Sequence, residues 1–141
     1  MINVAVMGPR GGKLDLHLHG FVMSAVQDYG RFLKINRFKS NVIVKAHHKY
    51  VMNKEGAEGY CSRLESGKNN FLIEVCLYGN WVSTLAHEMV HMKQYLRKEI
   101  NDNLTVWKGK DFTDCDYVNQ PWELEANRLQ HKMVSEFMEL T

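Results

Sequence analysis

His87-Glu88-Met89-Val90-His91 holds the side chains best suited to chemistry in this 141-residue chain. On an α-helix, positions i and i+4 lie one turn apart on the same face, so two imidazoles at this spacing can reach one cation at about 2.0–2.1 Å. A glutamate directly after the first histidine projects to one side of the pair, where it can act on a water held there. This is the ligand and base set of zinc hydrolases. Such a site needs a third protein ligand, and it needs the segment to be helical.

The flanking residues support a helix. Leu85, Met89, Met92 and Leu96 fall at i, i+4, i+7 and i+11, an apolar stripe that anchors one side in a core. His87 and His91 lie opposite that stripe, beside Gln94 and near Thr84 and Tyr95. Downstream, Pro121 opens a second helical pattern whose stripe is Trp122, Ala126, Leu129, Met133 and Phe137. Glu123 and Glu125 sit at opposite margins of this stripe, and the helical wheel does not choose between them. Glu123 lies three residues after Gln120, where a capping carboxylate folds back on the helix start, which leaves Glu125 the freer of the two.

Leu85-Ala86-His87-Glu88-Met89-Val90-His91 followed by Glu125-Ala126 resembles a gluzincin, the zinc-peptidase class whose third ligand is a glutamate on a later helix. The run from Glu123 to Asn127 also resembles the ImmA/IrrE-type peptidases, and the short chain resembles small phage-encoded, SprT-like metallopeptidases. The resemblance spans about residues 70 to 130. It implies one Zn2+ per chain held by His87, His91 and Glu125, with Glu88 as general base, in a hydrolase that cleaves peptide bonds. Zinc held this way keeps a fourth position for water and draws its pKa toward about 7. It also implies a minimal zincin-like α+β domain: an N-terminal helix, a small mixed or antiparallel sheet, the helix with both histidines, and a C-terminal helix with the glutamate. Leu129 stands where larger gluzincins place an aspartate that orients a ligand histidine, so that task falls to another group such as Glu123 or a backbone carbonyl. Tyr95, Tyr117 and His131 are the candidates for stabilising a developing oxyanion.

The remaining sequence is consistent with one domain over residues 1–141, at 45% hydrophobic residues. Residues 1–13, ending in Gly8-Pro9-Arg10-Gly11-Gly12, read as flexible and carry no basic-then-apolar leader. No stretch is long enough to span a bilayer, and the expected location is the cytoplasm, that of the host cell if the chain is phage-encoded. Phe21 to about Ile35 reads as a helix weakened by Gly30. Asn41–Val51 alternates as a strand, Gly59–Leu64 is a weaker one, and Phe71–Leu77 is the clearest, leading to Asn80 or Ser83 as helix cap. Thr105 to Phe112 suggests a hairpin or flap, and Trp107 and Tyr117 are cleft-lining candidates for which core packing is the better explanation. Cys61, Cys76 and Cys115 have no metal or redox spacing and are expected to be reduced, with Cys115 the one that a zinc-capped latent form would use.

Charge is polarised. Arg31, Lys34, Arg37, Lys39, Lys45, Lys49 and Lys54 occur without an intervening acid, whereas Asp111 to Glu139 is acid-rich, although the net charge is only +2. A solvated surface accounts for the basic run. The functional alternative is a zinc-stabilised, non-catalytic or latent module that binds nucleic acid or a protein through residues 31–54.

Overall fold

The computed structural model describes residues 1–47, 58–67, 69–76 and 80–140. His48, Lys49, Lys54 and the end of the 41–51 strand expectation lie outside these residues, as do Lys68 and Leu77. The described chain is a small α+β domain with three α-helices and a mixed sheet.

Ile2–Met7 forms strand β1, which corrects the reading of residues 1–13 as flexible. Ile2, Val4 and Val6 alternate toward the core while Asn3, Ala5 and Met7 are exposed. The strand is held by parallel pairing with β2 (Ser40–His47), a partner about forty residues away that no local pattern advertises. Helix α1 (Leu16–Phe32) starts earlier than its apolar pattern because Asp15 caps it, accepting from the backbone of His17 at 2.7 Å and Leu18 at 3.3 Å. Gly30 has a packing reason. A Cβ there would lie 2.5 Å from Ile2 Cδ1, so the missing side chain lets β1 pack on the helix.

The sheet order is β1-β2-β4-β3, with β3 at Gly59–Arg63 and β4 at Asn70–Cys76. The first three are mutually parallel, and β3 runs antiparallel to β4 at the edge. Val42, Val44 and Ala46 of β2 and Phe71, Ile73 and Val75 of β4 are buried beneath the helices. Helix α2 (Trp81–Leu96) packs on β3 and β4, and its stripe of Leu85, Met89, Met92 and Leu96 is buried as its spacing predicts. Helix α3 (Pro121–Leu140) packs on α2 and α1 through Trp122, Ala126, Met133 and Phe137. Phe137 meets Phe21 and Tyr29 edge-on at 5.2 and 5.6 Å, and the Tyr29 hydroxyl donates to Val82 O at 3.1 Å, tying the three helices together.

Between α2 and α3 the expected hairpin is present as β5 (Val106–Trp107) and β6 (Lys110–Asp111). Lys108 and Gly109 both have positive φ, 48° and 85°, as a tight two-residue hairpin turn requires. No helix among the described residues is long and apolar enough to cross a membrane. Of the basic run, Arg31 pairs with Asp28 at 3.5 Å and Arg37 lies over the Phe38 ring.

Candidate metal centre

Helix α2 opens with Asn80, whose side chain accepts from Ser83 N at 3.3 Å, so Asn80 rather than Ser83 is the cap. From that start His87 and His91 fall one turn apart on the flank facing α3, their ring centroids 4.9 Å apart. The two helices run antiparallel: Ser83 and His87 meet Gln130, whereas Gln94 meets Trp122. Glu123 therefore arrives opposite the histidine pair. Its Oε1 lies 2.9 Å from His87 Nε2 and its Oε2 3.2 Å from His91 Nε2.

His87, His91 and Glu123 form a group able to hold a metal ion, with their donor atoms within 4.8 Å of one another. Two imidazole nitrogens and one carboxylate are a common donor set for zinc. A tetrahedral zinc with bonds of about 2.0–2.1 Å needs donor separations of about 3.3 Å, so a slight opening of the observed contacts makes room for the ion. The residues fit the group.

Glu125, the ligand that the Glu-Ala resemblance implied, is not at this cluster, and Glu123 takes the position instead. The Glu125 carboxylate accepts from Lys93 Nζ at 2.9 Å and from Gln94 Nε2 at 3.0 Å. The physical reason is the rotation of α3. Burying Trp122, Ala126, Met133 and Phe137 directs the two margins of that stripe to opposite flanks of α2, and the histidines occupy the flank that Glu123 faces. Glu123 is also not the outer partner of a ligand histidine. That part falls to Gln94 and Gln130, whose Oε1 atoms lie 2.8 Å from His91 Nδ1 and 2.6 Å from His87 Nδ1.

Glu88 is buried and lines the same cleft of about 480 Å³, together with Gly59, Tyr60, Cys61, Tyr95 and Tyr117. Gly59 brings β3 against α2. A Cβ at this position would stand 2.6 Å from Thr84 Cγ2 and 3.1 Å from Glu74 O, so a larger residue would push the strand off the helix. Sequence reasoning did not place Gly59 or Cys61 at this site; a glycine at the head of a strand is the local sign of such close approach. At Tyr117, burial together with the nearby charge of Glu123 pushes the phenol up to about 12. Tyr95 is buried in the cleft wall, His131 is exposed on α3 away from the cleft lining, and Trp107 packs against the core. Cys115 does not join the cluster; its thiol is directed to Asp116 O at 3.5 Å. All three cysteines are free thiols.

The electrostatics fit a metal site closed by protons. Burial opposes charging of both histidines, but hydrogen bonds to Glu123 and the nearby Glu88 charge outweigh it, raising His87 and bringing His91 to about 9. Burial likewise opposes the Glu123 carboxylate, yet the two imidazoles hold it well below the usual carboxylate range. Burial raises Glu88, partly offset by the histidines. A raised histidine contributes stability that is complete below its unfolded value near 6.5 and fades as pH rises through its folded value. Chelator-treated protein is accordingly expected to lose thermal stability between pH 6.5 and about 9. The stabilisation brought by added zinc should grow over the same range, because the ion must displace those protons. A melting temperature of the metal-free protein that stays flat or climbs through this window would remove the protonated pair.

No protein-family model matches the chain, and no curated protein or solved structure matches it either.

Proposed function

We propose that this chain is a zinc-dependent hydrolase of peptide bonds. The observation that carries the proposal is the convergence of His87 Nε2, His91 Nε2 and both Glu123 oxygens on one point, with the buried carboxyl of Glu88 in the same cleft. His87, His91 and Glu123 would hold the zinc, which supplies Lewis acidity toward the scissile carbonyl and acidifies water. Glu88 takes a proton from the attacking water on a carboxylate oxygen and returns it to the leaving amide nitrogen. Its burial raises its proton affinity, which suits a carboxylate that must receive a proton and release it within one turnover. Tyr117, which lines the cleft beside Glu123, supplies an O–H donor there for the developing oxyanion.

The substrate class is supported by β3. Among the described residues it is an edge strand of the sheet and borders the cleft through Gly59, Tyr60 and Cys61, so its outer backbone groups can pair with an extended peptide.

Protein loaded with about one zinc per chain is expected to cleave an unstructured protein such as casein, to stop under a zinc chelator and to resume when zinc is returned. The same donors join α2 to α3, which favours one other reading, a zinc staple without turnover. Zinc-loaded protein that cleaves neither casein nor a degenerate peptide library would select that reading.

A further inference from the structure

The outer partners of both histidines are glutamines, and their arrangement decides which ring nitrogen is offered to a metal. We infer that Gln94 and Gln130 are positioning residues that hold His91 and His87 with Nδ1 protonated, so that both Nε2 atoms face the space closed by Glu123. The inference rests on the metal-site reading above and deepens it.

At Gln94 the orientation of the amide is fixed by its surroundings. The residue is fully buried, and its Nε2 donates to Trp122 O at 3.0 Å and to Glu125 Oε1 at 3.0 Å. Turned over, the amide would set its oxygen against two acceptors. Oε1 therefore faces His91 Nδ1, 2.8 Å away, and an amide oxygen only accepts, so Nδ1 carries the hydrogen. Lys93 steadies this anchor from the far side, with its Nζ 2.9 Å from the same Glu125 oxygen and 2.8 Å from Glu99. The chain Lys93, Glu125, Gln94, His91 thus gives Glu125 a role one step behind the site.

At His87 the parallel arrangement uses α3. Gln130 Oε1 lies 2.6 Å from His87 Nδ1 and its Nε2 donates to Ser83 Oγ at 3.1 Å. Ser83 and His87 are one turn apart on α2, so a single side chain from α3 spans both. Amides orient the rings without adding charge to a cleft that already holds Glu88 and Glu123. A carboxylate in either place would add a third negative group and make the rings stronger bases.

The test uses full-length protein, with zinc alone as the probe. Affinity is read by competition with a chromophoric chelator, and ring protonation by nitrogen-15 NMR of labelled histidines. Wild-type protein saturated with zinc should show Nδ1–H and Nε2 ligation at both rings. Gln130→Leu should bind zinc about 10–100-fold more weakly while the metal-free protein stays folded, and Gln130→Glu, which keeps an acceptor, should recover to within about threefold of wild type. Nδ1 ligation at either ring overturns the inference even if a variant fails to fold, as does Gln130→Leu that binds like wild type; both leave the metal site standing. Wild-type protein that takes up no zinc overturns the metal site and the positioning role together.

Discussion

Glu88→Gln is expected to keep about one zinc per chain and to slow peptide hydrolysis about 10²–10⁴-fold, the range that a positioned general base supplies. The reason lies in what the substitution removes. Glutamine has nearly the same shape, so the α2 surface that Thr84 and Glu88 present to Gly59 is retained, but its amide cannot take a proton from water at neutral pH. Metal affinity should change little, since Glu88 is not among the three converging donors. A second sign comes from the histidines. Glu88 helps raise both His87 and His91, so its neutralisation should let metal-free protein give up those protons at lower pH. Zinc content by elemental analysis, with cleavage measured beside it, separates the outcomes. A Glu88→Gln protein that holds zinc and cleaves at the wild-type rate would end the assignment of the base.

What was legible in the sequence was whatever local periodicity writes. The α2 stripe of Leu85, Met89, Met92 and Leu96, the alternation of Val42, Val44 and Ala46, and the β4 core run all lie where their patterns place them, because burial of one face is a property of consecutive residues. The pairing of His87 with His91 is legible for the same reason. Strand β1 was not, because its stabilisation comes from β2 across a helical crossover and its glycine-rich exit resembles a loose tail. The choice between Glu123 and Glu125 was illegible for a related cause. Each helical wheel states which side is buried, but the side of α2 on which α3 settles is set by how both helices pack on α1 and how α2 packs on the sheet. A hint was available in Lys93 and Gln94, which give Glu125 a partner of opposite charge and an amide donor, so its position on α3 did not require a metal to explain it.

Replacing the two glutamates one at a time therefore gives the second large effect. Glu123→Ala removes the carboxylate that meets both histidines and should weaken zinc binding by more than the roughly 10–100-fold that loss of an outer partner brings. It also strips His87 and His91 of the bond that holds their protons, so the fall in metal-free stability above pH 6.5 should flatten in this variant. Glu125→Ala leaves the three donors in place. Lys93 keeps Glu99 as a partner and Gln94 keeps Trp122 O, so the expected cost is one charge-assisted network contact, about 1–3 kcal/mol of stability. Its zinc affinity should fall by no more than the Gln130→Leu variant's, because Glu125 acts on His91 only through Gln94. The contrast has to appear in the metal titration itself, since both variants lose a partly buried ion pair and both will melt earlier than wild type. Zinc retained by Glu123→Ala and lost by Glu125→Ala would mean that α3 presents its other margin to the histidines, and the centre would have to be rebuilt around Glu125.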